Sequence, residues 1–297
     1  MSVTLIAVVI ALLLGHLAQP FVAALRQYDW YADWLRWLSA RFGEGSVWRG
    51  RYGIAIALAV PLLVVGLFQV ALDAPLLGLV GLLFAVAVLV YAWGPRDLDL
   101  DVDAITATTD PVARREAAAR LWPAGQEPLM DGASLVEAVF RNAQRRWFGV
   151  LFWFLLLGPV GALLYRLSVL SVEGEMATQL PATTGEGARR LLAVLDWPVA
   201  QLMTLAMALV GNFDTVFSVW REAGGTQFRL HTGFLGSAAR ASVRGELAEE
   251  AEEYAEEGMV QAMRELPELR DAMSLVWRIL LLWLAVLAVF VIGGWVG

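Results

Sequence analysis

The sequence predicts an all-α, polytopic integral membrane protein, and three observations carry that expectation. Of the 297 residues, 59% are hydrophobic and 17% are charged, and the mean hydropathy is +0.61, a balance far more apolar than that of a soluble domain. The apolar residues are gathered into runs near the ~20 residues that cross ~30 Å of hydrocarbon. All 22 basic residues are arginine, and they concentrate in the connectors between those runs.

Taken in order, the runs are Ser2 to about Leu25, Gly53 to Leu72, Pro75 to Trp93, Trp147 to Leu170 and Ser274 to Val296, which predicts five transmembrane helices. The first lacks a basic start, so it reads as a retained anchor rather than a cleaved signal. A sixth run, 198–220, carries Gln201, Asn212 and Asp214 among its apolar residues, so it is expected to span, to re-enter or to lie in the interface. In the fourth run the Gly158–Pro159 pair predicts a kink, because proline removes a helix hydrogen bond, and Gly158 and Gly161 would let a neighbouring helix come close. The run also contains Arg166, which would either snorkel to the external interface or face the bundle interior and hold a carboxylate such as Asp196, or an anionic ligand.

The connectors are expected to be helical parts of one membrane domain, 1–297. Residues 26–52, with five arginines among Trp and Tyr, read as an interfacial helix; residues 95–146, with seven, include the Asp110–Pro111 pair of a helix start; residues 221–275, with six, hold an acidic helical run. Arginine-rich connectors belong on the cytoplasmic side. That rule puts the N-terminus and the short turn at Asp73 and Ala74 outside and makes the chain a multi-pass membrane protein.

Composition also narrows the chemistry. With no cysteine and no lysine, thiolate nucleophiles, lysine Schiff bases and the lysine of a phosphate-binding loop are excluded. A net charge of −7 argues against nucleic acid as a partner. His16 and His231 lie in no metal-ligand spacing, and no cofactor motif is present. The candidates that remain are polar groups at the mouths of spans: Glu137, Arg141, Asn142 and Arg145 before the fourth run, and Asp196 and Trp197 before the sixth. On a helix, Glu137, Arg141 and Arg145 share one face, and an arginine cluster there could bind a phosphate, a nucleotide or a lipid headgroup.

The strings RRWFGVLFWFLLLGPVGALLYRL (145–167) and LLAVLDWPVAQLMTLAMALVGNFDTVFSVW (191–220) resemble the AmpE proteins. These are inner-membrane proteins of Gram-negative bacteria associated with control of AmpC β-lactamase induction, and AmpE proteins in turn resemble the CobD/CbiB membrane synthases of cobalamin assembly. In the synthase register, Glu137, Asn142, Phe152 and Trp153 match, while Arg141 and Arg145 stand where acids are expected and Gln201 stands where an arginine is expected. Two arginines in place of two carboxylates would repel a magnesium ion, so the resemblance implies a regulatory or sensory protein of β-lactamase induction and peptidoglycan recycling, ligand-binding rather than catalytic. Membrane lipids, an anionic or phosphorylated small ligand and a protein of the induction pathway are its expected partners. The other implied reading is a membrane-bound enzyme related to cobinamide-phosphate synthase, acting on a phosphorylated or lipid-linked substrate. These two differ on whether catalysis survives, and the residues alone leave that open.

Overall fold

The computed structural model describes residues 2–17, 26–72, 78–94, 97–123, 125–227, 229–256 and 266–293, and among them every regular element is a helix. The end of the first apolar run, the turn at Asp73 and Ala74, and residues 257–265 of the acidic segment lie outside the described residues, as does the His16 side chain. The chain forms two compact units. One comprises Met1–Pro95, Arg145–Leu195 and Leu287–Gly297, the other Arg96–Gln144 and Asp196–Val286.

Three described helices are long and apolar enough to cross a membrane: Gly53–Leu72, Ala182–Val210 and Pro267–Phe290. Together with the composition they make this a membrane protein. Two further apolar helices, Gly78–Ala92 and Pro159–Leu170, are shorter.

In the first unit, α1 (Ser2–Leu17) packs on α4 (Gly78–Ala92). Helix α2 (Asp29–Arg41) is amphipathic as expected, burying Tyr31, Leu35 and Leu38 on one stripe and leaving Trp30 and Trp37 exposed. Its docking on α3 (Gly53–Leu72) has a clear physical cause. Pro61, inside α3, has no N–H to give the carbonyl of Ala57, and the indole Nε1 of Trp34 donates to that carbonyl at 2.9 Å instead.

The fourth apolar run departs from its expected single kinked span. Helix α8 (Gly149–Leu157) ends at Gly158, whose φ of 69° and ψ of −153° lie where only glycine sits without strain, and Pro159 opens α9 (Pro159–Leu170) as its first residue. The chain then folds back on itself. A side chain at Gly149 would overlap the ring of the buried Tyr165, and one at Gly161 would overlap the Trp153 carbonyl, so both limbs of this hairpin touch through glycine. At 1.5 Å per residue neither limb reaches the ~30 Å of a crossing. The turn is closed by Gln69 of α3. Its Nε2 donates to the Leu157 carbonyl at 3.2 Å, and its Oε1 accepts from the Val160 N–H at 3.1 Å, supplying two of the backbone groups that the helix break leaves open. Helix α9 packs in turn on α3 and α4.

In the second unit, α5 (Leu98–Ala107) packs on α6 (Pro111–Ala119) and on α7 (Gly132–Ala143), and α12 (Gly233–Glu256) packs on α7 and on α11 (Phe213–Glu222). The Asp110–Pro111 helix start stands as read, with the Asp110 carboxylate accepting from the Ala113 N–H at 3.0 Å. The sixth run is not one helix. Helix α10 (Ala182–Val210) begins well before it and stops at Gly211, after which Asn212 caps α11. Pro267–Ile292 forms α13.

Candidate functional site

Helix α7 passes directly into a π-helical turn, Gln144–Phe148, and α8 follows. A π turn inserts an extra residue into the helical ladder and recurs at functional sites. It lies where the sequence reading placed its arginine cluster, yet the structure separates those residues by partner.

Glu137 leaves α7 to meet α12, its Oε1 lying 2.7 Å from Nη1 of Arg240, with both side chains roughly two-fifths exposed. Arg240 also donates from Nη2 to Ser237 Oγ at 3.3 Å. Nearby Asp131 caps α7 by accepting from the Ser134 N–H at 2.9 Å, and this hydrogen bond, together with the Arg240 charge, holds its carboxyl below the usual carboxylate range. Arg141 and Asn142 turn away from Glu137. Arg141 Nη2 at 3.0 Å and Asn142 Nδ2 at 2.8 Å both donate to the carbonyl of Leu121, just beyond α6. They close an open helix end and fix the α6–α7 connection.

Arg145 forms an ion pair with Glu173, and that contact draws together the two ends of the α8–α9 hairpin. The single face of Glu137, Arg141 and Arg145 expected from helical spacing is therefore corrected to three separate contacts. Arg166 does not snorkel, since it is 1% exposed. Its Nε donates to the Ala92 carbonyl at 2.6 Å and its Nη2 to the Arg146 carbonyl at 3.4 Å.

Of the remaining candidates, Gln201 and Asn212 hold backbone in place. Asp196 and Trp197 lie inside α10 rather than ahead of it, beside the internal Pro198, and the Asp196 carbonyl accepts from Gln144 Nε2 at 2.9 Å. Gln201 bridges a turn, donating to the Gly225 carbonyl at 2.8 Å and accepting from Trp220 Nε1 at 2.8 Å. Asn212 accepts from the Thr215 N–H at 3.1 Å, and Asp214 stands exposed in the first turn of α11, where its charge suits the helix dipole. Arg240 escaped the sequence reading. It sits among small residues in GFLGSAARASV, and its partner is 103 positions away, so no local spacing could reveal it.

Magnesium held by carboxylates, as the synthase resemblance implies, does not fit these residues. Among the described residues no three His, Asp or Glu side chains gather as a metal site, and the two expected acids are arginines engaged with Leu121 and Glu173.

No protein-family model matches the chain, and no solved structure matches it. Among curated proteins it is 29% identical over 198 residues to the cobalamin biosynthesis protein CobD of Chromobacterium violaceum, a match covering 64% of this chain and 63% of that protein. It is 30% identical over 168 residues to the CobD of Stutzerimonas stutzeri, covering 54% of each. The chain thus spans a little over half the length of the curated relatives it matches. Both carry the name of a biosynthetic protein and neither that of a regulator. The relation to CobD therefore stands, the AmpE assignment gains no support, and the expected role in AmpC β-lactamase induction is overturned.

Proposed function

We propose that the chain is a biosynthetic enzyme of a bacterial inner membrane, crossing it several times, which acts on a phosphorylated or lipid-linked substrate met by Glu137 and Arg240. The similarity to two proteins named for cobalamin biosynthesis carries this reading. The charges of the pair supply its chemistry.

A carboxylate and a guanidinium 2.7 Å apart on neighbouring helices complement a small molecule bearing both an ammonium and a phosphate, such as a phosphorylated amino alcohol. Arginine's planar fork suits phosphate oxygens, and Glu137 can accept from the ammonium or take its proton. An exposed ion pair contributes only about 0–1 kcal/mol, so opening it to admit substrate costs little. Arg141 and Asn142 serve beneath, keeping α7 in register through Leu121.

Calorimetric titration of the purified, detergent-solubilised chain with a phosphorylated amino alcohol and with inorganic phosphate tests the assignment. Arg240→Gln is expected to weaken both ligands by about tenfold, the loss of one charge-assisted hydrogen bond. Glu137→Gln should weaken the amino alcohol alone. Absence of saturable binding, or the same loss for both ligands in Glu137→Gln, would count against the proposal.

A further inference from the structure

Beside Pro61 the first unit carries an open groove of about 680 Å³, lined by Trp30, Trp34, Trp37, Val60, Val64 and Tyr91 among others. Its one charged lining residue is Asp33. Three polar tips of its aromatic wall are already engaged: Trp34 Nε1 bonds the Ala57 carbonyl, Trp30 Nε1 donates to the Tyr91 hydroxyl at 2.5 Å, and that hydroxyl donates to the Gln27 carbonyl at 2.9 Å. Apart from Asp33, what lines the groove is mostly aromatic ring and aliphatic side chain. From the α2 end it follows α3 past Val60 and Pro61 to Val64 and Val65, about 8 Å along the axis toward the middle of that 20-residue apolar helix.

One end of the groove thus lies at an interfacial tryptophan helix and the other runs along a membrane-spanning one. At the interfacial end Asp33 is paired with Arg36, and both side chains are well exposed, at 65% and 63%. Asp33 at the rim of the apolar slot, with Arg36 as its ion-pair partner, complements a zwitterionic headgroup whose ammonium meets Asp33 and whose phosphate meets Arg36. We propose that the groove holds one acyl chain of a phosphatidylethanolamine, with its headgroup on the Asp33–Arg36 pair. An anionic glycerol headgroup offers Asp33 hydroxyl donors but no cation, and a choline headgroup cannot donate a hydrogen bond to it.

Native mass spectrometry of the full chain, released from nanodiscs holding equal amounts of phosphatidylethanolamine, phosphatidylglycerol and phosphatidylcholine, tests this. The wild type is expected to retain phosphatidylethanolamine about fivefold over either other lipid, the discrimination of about one partly solvated ion pair. Val64→Trp, which fills the slot from a half-exposed position, should abolish retention without changing the thermal midpoint. Asp33→Asn should keep a bound lipid but lose the preference. Equal retention of the three lipids by the wild type, or undiminished retention in Val64→Trp, would overturn the assignment.

Discussion

Replacing Gln69 by leucine is expected to lower the stability of the chain by about 2–6 kcal/mol, because two backbone groups at the tip of the α8–α9 hairpin lose their partner and each such orphan costs about 1–3 kcal/mol. The leucine matches the glutamine in bulk but offers neither the donor that meets the Leu157 carbonyl nor the acceptor that meets the Val160 N–H. The control is Val70→Leu, one position on, at a residue 78% exposed and bonded to nothing at the turn. Thermal unfolding in detergent should show a large drop for Gln69→Leu and none for Val70→Leu. Equal midpoints would mean that the turn does not depend on Gln69.

A second large effect is expected at Arg166. Its guanidinium is enclosed and joins the end of α4 to the π turn through the carbonyls of Ala92 and Arg146. Arg166→Ala removes both donors and leaves a cavity the size of a long side chain. The Ala92 carbonyl loses its donor at a cost of about 1–3 kcal/mol, the Arg146 carbonyl keeps the Gly94 N–H at 3.2 Å, and the void adds to the loss, so a drop of about 3 kcal/mol or more follows. Lysine should not rescue it, since one ammonium cannot reproduce the divergent Nε and Nη2 donors. A folded Arg166→Ala protein of unchanged midpoint that had lost only ligand binding would show that the arginine serves a ligand instead of the scaffold.

The contrast between these two residues and the sequence reading shows where local pattern stops. Asp110 before Pro111, and the tryptophan-rich stripe of α2, were legible because a cap and an amphipathic face are set by residues within one or two turns. Gly158–Pro159 was legible as an interruption but not as a reversal. The direction of the chain after the glycine depends on its φ and on Gln69, 89 positions before it, and neither is written in the apolar pattern. Glu137 and Arg141 lie at helical spacing, yet Arg240 and Leu121 draw them apart, and those partners are 103 and 20 positions away. The polar residues of 191–220 looked like a site because polar groups in an apolar run need partners. Gln201 and Asn212 have them, in a bridged turn and a cap. The function differs from its expectation for another reason: the resemblance runs through two related groups of proteins, a regulatory and a biosynthetic one, and the curated matches lead to the biosynthetic one.

The account stands most directly on the hairpin of residues 149–170, since a single span there would carry the chain across the membrane where a reversal returns it. The chain has no cysteine, so two can be placed without background, at Arg145 and Glu173 on either side of the hairpin. Spin labels on Arg145→Cys and Glu173→Cys, measured by pulsed electron paramagnetic resonance in nanodiscs, are expected to lie within about 20 Å, as labels on two packed helices with axes about 8–10 Å apart should. A continuous helix over the 28 intervening steps would hold them about 42 Å apart, and that distance would contradict the account.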